Sequence, residues 1–302
     1  MACILMWAHF AVADTASPGG VTILDRLESA RSKGCGGGTV AIGGDTNMLW
    51  SNPAGCAWTA GPTIALTGNR GYYGDYSSQG IANLLIGDTV ASIGAAYYDA
   101  GTVSQFTSQG DMWTRDIQQD WMVAAGYAGR LTSGVSSGAT VKYIRGELFE
   151  FDRYQLLVGD MGVQANINQV AKVGIAILNI GHSMSPGPRT GQESAVLRGG
   201  VALGWQFDGL ATSARDYLVV MADCGYQVSD RGNTYHGGLE YQWGGIVVIR
   251  CGALYGTPRE ASVASLGLGI KAGIYRLDWA MRYSDALDSP QTVSLTIPIG
   301  HR

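Results

Sequence analysis

Residue types that support catalysis are scarce in this sequence of 302 residues. Its four histidines are His9, His182, His236 and His301, and none belongs to an HExxH motif. The glycine run at 34–38 is not followed by the Gly-Lys-Ser/Thr of a phosphate-binding loop. No pair of cysteines has the Cys-x-x-Cys spacing of a zinc site. The sequence therefore predicts no catalytic residue, no metal site, no cofactor and no enzyme.

Charged residues suggest a different kind of site. They make up only 15% of the chain, and most of those in its second half fall on one face of alternating segments. The candidate inward-facing residues are Glu240, Arg250, Lys271, Arg276, Asp278 and Arg282. Two interpretations are open. The four basic residues form a wall that holds another segment or an acidic group, or the charges form structural ion pairs, for example Glu240 with Arg250.

The elements that position these charges are strands. From Tyr275 to Tyr283, aromatic and apolar residues alternate with Arg276, Asp278 and Arg282, which places the two sets on opposite faces of a strand. We predict fourteen such strands. Their expected ranges are 63–69, 74–86, 89–100, 118–130, 134–147, 153–167, 170–180, 193–206, 215–228, 234–243, 246–255, 261–273, 275–285 and 291–299.

The connections between these segments alternate in length. Most connections after even-numbered segments are tight turns, such as 87–88 and 132–133, whereas 101–117 and 181–192 are long. Bacterial membrane barrels have short turns at one end, long loops at the other and an even number of strands. Most segments also reach the 9–11 residues that a membrane-crossing strand needs. The pattern predicts an all-β fold, a transmembrane antiparallel barrel of about fourteen strands, with a soluble β-sandwich as the alternative.

Composition excludes several other classes of protein. The chain contains 45 glycines, its hydrophobic content is 46%, and its net charge is -4, so neither a disordered chain nor a nucleic-acid partner is expected. The apolar residues 1–13, which end in Ala-Val-Ala, predict the remnant of a signal peptide. Whether Cys35 and Cys56 pair is left open by the sequence.

A resemblance to a known family lies in residues 41–55, which read AIGGDTNMLWSNPAG. This segment resembles the N-terminal region of PorV/PorQ-type outer-membrane proteins, which are similar to the FadL fatty-acid transporters. Residues 85–99 resemble their first hairpin, and residues 174–181 resemble a strand in the middle of their barrel. Cys56 stands where those proteins usually have leucine.

After the signal remnant predicted at 1–13, the resemblance implies two parts: an N-terminal plug at 14–62 inside the lumen and a barrel at 63–300. The residues that it assigns to the plug are Asp45, Asn47, Trp50, Asn52, Pro53 and Gly55. It also implies a bacterial outer-membrane location with lipid around the barrel. The expected function is passage of hydrophobic small molecules across that membrane. One alternative is a docking component that receives secreted proteins, as PorV does, and another is a soluble secreted β-sandwich that binds a ligand.

Overall fold

The computed structural model describes residues 22–71, 74–106, 112–149, 152–184, 195–208, 215–228, 231–256, 262–283 and 289–300. The predicted signal remnant at 1–13 lies outside these ranges. Four short helices precede the strands in the described chain. They are α1 Thr22–Asp25, α2 Ala30–Gly34, α3 Met48–Ser51 and a 3-10 helix Pro53–Trp58. None of the described helices has the length and apolar character needed to span a membrane.

Sixteen strands follow in the described residues. They are β1 Thr63–Arg70, β2 Tyr76–Ile86, β3 Thr89–Asp99, β4 Thr102–Phe106, β5 Met112–Asp116, β6 Gln118–Arg130, β7 Val135–Leu148, β8 Asp152–Asn166, β9 Ala171–Ser183, β10 Val196–Asp208, β11 Arg215–Gln227, β12 Gly232–Trp243, β13 Val247–Gly256, β14 Val263–Ala272, β15 Tyr275–Tyr283 and β16 Gln291–Pro298.

Fourteen of these strands form one closed antiparallel barrel. Each strand pairs with the next barrel strand along the chain, and β1 closes the ring by pairing with β16 from Thr63↔Pro298 to Arg70↔Gln291. The prediction of a fourteen-stranded all-β barrel is confirmed. The two-sheet sandwich is wrong, because all fourteen strands share a single sheet with no free edge.

The loop predicted at 101–117 contains a second, small sheet. Strands β4 and β5 pair as a hairpin, from Thr102↔Asp116 to Phe106↔Met112, outside the barrel. Each has only five residues. Strands of that length are too short to cross a membrane, and their alternation is too short to distinguish them from a loop in the sequence.

The barrel wall has an apolar outer face and a polar inner face. In β14, Leu266, Leu268 and Ile270 are 50–56% exposed on the outside, whereas Ser265, which precedes them, is buried. In β15, Tyr275 and Leu277 face outward and Asp278 is buried. The strict alternation of side chains along a strand accounts for this division.

Residues 22–62, named the inner segment here, cross the lumen. Helix α2 contacts β13 to β16, whereas the 3-10 helix contacts β3, β6, β7 and β8 on the opposite side of the ring. Most of its residues are buried although they belong to no sheet. It therefore supplies the core that a barrel of this width cannot form from its wall alone.

Glycines on the inner face of the wall make room for the inner segment. A Cβ atom built at Gly138 would lie 2.6 Å from the carbonyl carbon of Pro53, and one built at Gly94 would lie 2.5 Å from Cη2 of Trp50. Nine barrel strands carry such a glycine. The nine glycines are Gly94, Gly126, Gly138, Gly162, Gly174, Gly200, Gly238, Gly252 and Gly267. Part of the high glycine content thus follows from the close approach of two backbones.

Candidate functional site

A chain of buried charges joins the inner segment to the wall. Arg31 of α2 donates two hydrogen bonds to Glu240, from Nε and Nη2, at 2.8 and 2.7 Å. Its Nη1 also lies 3.3 Å from Oδ2 of Asp45. The paired, bidentate geometry is the one in which a guanidinium binds a carboxylate most strongly. These contacts of Arg31 therefore fix the rotation of helix α2 about its axis.

The chain of charges continues along the wall. Arg250 donates from Nε to Glu240 at 2.7 Å and from Nη1 to Asp278 at 2.8 Å. Arg276 forms an ion pair with Asp278 at 2.7 Å. The positive charges of the three guanidinium groups therefore equal the negative charges of the carboxylates of Asp45, Glu240 and Asp278. Five of these six residues were candidates from the sequence, and the fold brings them together; Arg31 was not singled out.

The two remaining inward candidates have other partners. Arg282 forms an ion pair with Glu28 of the inner segment at 2.6 Å, and Lys271 donates to Oε1 of Gln242 at 2.9 Å. Each of the four basic candidates thus has a partner, and the geometry is that of structural pairing rather than of an open basic wall. The Arg282–Glu28 pair and the Arg31–Glu240 pair both join the wall to the inner segment, so the charges also hold that segment in place.

The Asn-Pro-Ala-Gly sequence has a local structural role. The Asn52 side chain accepts a hydrogen bond from the backbone N–H of Ala54 and donates to the carbonyl of Val40 at 2.8 Å. It therefore caps the 3-10 helix, in which Pro53 occupies the first turn. Gly55 lies where a Cβ atom would be 2.9 Å from Cγ of Met48. The motif folds the chain back tightly against the wall.

Both buried cysteines of the inner segment are free thiols. Burial raises the pKa of Cys35 and of Cys56 to about 12. Neither thiol therefore ionises near neutral pH, and both behave as small apolar groups in the core.

A cavity of about 210 Å³ lies between the inner segment and the wall. Leu27, Ile42, Met48 and Trp50 of the inner segment and Leu178 of β9 supply apolar lining. Several of its wall residues lie near strand ends at the same end of the barrel as the long connection between β9 and β10. They are Val196, Arg198, Gln227, Thr234, Leu254 and Arg282. The cavity has the mixed lining of a small-molecule site.

One side of this cavity adjoins an irregularity in the wall. The pairing of β8 with β9 shifts between Gly159 and Met161, and Asn179 adopts a φ of 58°. The buried carboxylate of Asp160 accepts from the backbone N–H of Asn179 at 2.8 Å and forms an ion pair with Lys142 at 2.7 Å. Asparagine tolerates this backbone conformation better than most residues. The alternation of residues along the predicted strand 170–180 does not indicate this bulge.

Residues 134–138 match the Gly-x-Ser-x-Gly pattern of hydrolase nucleophiles. Here Ser136 is fully buried and donates its hydroxyl to the Ala54 carbonyl at 2.9 Å. The stretch begins a barrel strand, whereas a nucleophile of that kind needs an exposed hydroxyl on a turn from a strand into a helix. The serine therefore fastens the inner segment to β7.

No protein-family model matches this sequence, and no curated protein matches it. Solved structures match its fold. The toluene transporter TbuX of Ralstonia pickettii is similar over 90% of this chain and 98% of its own, with a TM-score of 0.59 and 12% identity. The P. putida toluene transporter TodX gives a TM-score of 0.64 at 11% identity over 91% of this chain and 99% of its own.

A Pseudomonas aeruginosa FadL homologue is also similar in structure. It gives a TM-score of 0.53 at 10% identity, over 89% of this chain and 97% of its own. The chain therefore has the fold of FadL-type barrels over nearly its whole described length.

Proposed function

We propose that this protein lies in the bacterial outer membrane and lets hydrophobic small molecules cross it. The outward face of the barrel supports the location. Large apolar residues such as Ile93, Val141 and Ile175 are 54–61% exposed there, and a closed barrel leaves no unpaired sheet edge in lipid. The fold shared with two toluene transporters supports the function.

The observation that carries the proposal is the cavity inside the barrel. It lies between the inner segment and the wall, it has apolar lining from both, and its wall residues lie toward the end of the barrel that carries the long connection between β9 and β10. A molecule entering from that end meets the inner segment, which blocks the lumen. In this proposal, residues 14–62 act as the plug, and Asp45, Asn47, Trp50, Asn52, Pro53 and Gly55 position it.

Deletion of residues 34–58 tests this proposal in cells that have an outer membrane. The intact protein should increase uptake of toluene compared with cells that lack it. The deletion should also admit hydrophilic dyes, because the lumen is then open. Recovery in the outer-membrane fraction and a difference in gel migration between unheated and boiled samples establish insertion. An inserted intact protein without any effect on toluene uptake would contradict the proposal.

The hairpin of β4 and β5 favours a second candidate function, docking of secreted proteins as in PorV. Met112 and Trp113 are 63% and 55% exposed on it, and Arg115 lies 5.7 Å from the centre of the Trp113 ring. Exposed apolar side chains of this kind mark contact surfaces. A photocrosslinker at position 113 should then capture secreted proteins. Capture of none, with toluene uptake intact, would exclude this role.

A further inference from the structure

We infer that a groove on the outer surface of the barrel binds one phosphate-bearing lipid of the outer leaflet, with its acyl chains in the groove and its phosphate on Arg145. The inference rests on the outer-membrane location within the proposed function, but not on the passage of small molecules. Three observations support it: the shape of the wall, the closed pairing beneath the groove, and an exposed guanidinium group at its rim.

The groove follows from the sizes of outward-facing side chains that lie opposite one another on neighbouring strands. One row across the sheet places the small residues Gly80 and Ala95 between Leu66 of β1 and Val123 of β6. The next row has the same pattern and consists of Val293, Gly68, Ser78, Tyr97 and Trp121. The small residues form the floor of the groove, and the large residues form its two sides.

The groove has the size and the lining of a site for acyl chains. Its volume of about 1140 Å³ exceeds the range of about 300–1,000 Å³ that is typical of pockets for drug-sized ligands. Leu66, Val123 and Val293, which line it, are 47–57% exposed on the face that meets lipid. An unfilled depression would lose van der Waals contacts along its whole lining, and flexible acyl chains restore them.

The wall beneath the groove is closed, so a molecule in the groove lies outside the lumen. Strand β3 pairs with β2 on one side and with β6 on the other along its whole length, Thr89–Asp99, without a register shift. Strand β1 pairs with β2 in the same way over Thr63–Arg70. The groove therefore opens to the bilayer and is separate from the cavity of the proposed passage.

The rim of the groove lies at the level of lipid head groups. It is at the end of the barrel where β3 leads to the hairpin of β4 and β5, and long connections face the outside in bacterial barrels. Tyr97 and Trp121 are in contact there, with ring centroids 4.5 Å apart. Tyrosine and tryptophan are enriched at the boundary between the hydrocarbon and the head groups.

Arg145 supplies a positive charge at this level. It lies directly opposite Trp121 and is exposed on the outer face. Among the residues that the structure describes, no carboxylate forms an ion pair with it, because the nearby Glu147 is paired with Arg153 at 3.2 Å. A lipid phosphate provides the matching negative charge, which a neutral lipid or a hydrocarbon cannot do.

Lipid A and its dephosphorylated form test the inference, because they have the same acyl chains and differ in phosphate. Native mass spectrometry of the purified full chain in detergent gives the dissociation constant of each lipid. Ala95→Leu fills the groove, and Arg145→Gln removes the charge at its rim. The matched controls are Ala264→Leu, at an exposed alanine of β14 outside the groove, and Arg215→Gln, at an exposed arginine at the opposite end of the barrel.

We expect the wild type to bind one lipid A per barrel. Ala95→Leu should weaken binding of both lipids by at least tenfold, because the new side chain takes the place of an acyl chain. Arg145→Gln should weaken binding of lipid A by about three- to fivefold and leave the dephosphorylated lipid unchanged. Neither control should differ from the wild type. Toluene uptake should stay the same in all four variants, and gel migration before and after boiling shows that each is folded.

Equal binding of lipid A by the wild type and Ala95→Leu would overturn the inference, and so would an equal loss in Ala264→Leu. An unchanged preference for lipid A in Arg145→Gln would overturn the role of the phosphate. A dimer without bound lipid that Ala95→Leu disrupts would make the groove an interface between copies instead. Loss of toluene uptake in Ala95→Leu would place the groove on the passage and also overturn the inference. Lipid binding as expected, without any toluene uptake by the wild type, would contradict the proposed function alone.

Discussion

The two halves of the inner segment are held by different forces. The charged half, residues 26–38, contains α2 and reaches the wall through Arg31 and other polar groups: Lys33 donates to Oδ1 of Asn69, and the N–H of Ala30 donates to Ser294. The apolar half, residues 48–58, packs Met48, Leu49 and Trp50 into the largest buried cluster of the barrel. The first half is held mainly by charged and polar partners, whereas the second is held mainly by burial, with hydrogen bonds such as that from Ser136 to the Ala54 carbonyl.

This difference explains how the interior of a wide barrel adopts a single arrangement. Burial of apolar surface is non-directional, so the apolar half supplies stability without specifying a rotation. Buried ion pairs contribute little net stability, but a misplaced partner leaves an uncompensated charge. The charged half therefore specifies where the segment lies, and the apolar half makes that position stable.

The largest effect should follow from breaking the charged half. Arg31→Met leaves Asp45 without its guanidinium and Glu240 with only Arg250, so we expect a loss of about 3–5 kcal/mol in the free energy of unfolding. The measurement is urea unfolding in detergent. Arg31→Lys keeps the charge but not the two parallel hydrogen bonds, and should lose less. A loss below about 1 kcal/mol for Arg31→Met would show that the pairs do not hold this half.

Leu49→Ala tests the apolar half in the same way. Leu49 is fully buried, and a cavity at such a site costs about 3 kcal/mol. The loss should not change with pH, since the residue has no charged partner. The outward Leu268→Ala is the control, with an expected loss near 1 kcal/mol. Equal losses at both positions would mean that the apolar half is not part of the core.

Glycines under each half permit a smaller, paired test. Gly252→Val should displace the backbone at Gly36, with which its Cβ would collide, and Gly138→Val should displace Pro53. Overpacking costs about 1–3 kcal/mol. Gly237→Val is the matched control, because nothing lies within 4 Å of its Cβ position. Dye uptake by cells should rise in the first two variants alone; a similar rise in all three would contradict the close-approach explanation.

The last expected effect is a pH dependence that arises in the charged half. Burial, together with the nearby Arg282 and Arg26, lowers the pKa of Lys33 to about 7, although Glu28 and Asp75 act in the opposite direction. The unfolded lysine, with a pKa near 10.4, binds more protons between pH 7 and 10 than the folded one, so stability should rise with pH across that range. Lys33→Met should flatten the rise in urea unfolding, whereas Leu49→Ala should keep it. An unchanged slope in Lys33→Met would mean that another group titrates.

Much of the wall could be read from the sequence. The strict alternation in β14, β15 and β16 fixed which residues face inward, because successive side chains on a strand point to opposite faces. The same rule placed Glu240, Arg250 and Asp278 on one face. Strands β4 and β5 were not predicted, because an alternation of five residues is too short to distinguish from a loop.

The pairing inside the barrel could not be read in this way. Arg31 meets Glu240 across 209 residues, and nothing in the local sequence of either residue indicates the other. The glycines of the inner face, the bulge at Asn179 and the cavity beside Trp50 also depend on which strands the inner segment touches.

The sequence by itself determined the closed all-β wall, its two faces and the number of its strands, because these follow from a repeat of two residues and from the lengths of the connections. Only the tertiary structure decided which charges pair and which glycines admit the inner segment. Those properties arise from contacts between segments that are distant in sequence, and the close packing of the barrel interior sets them all together.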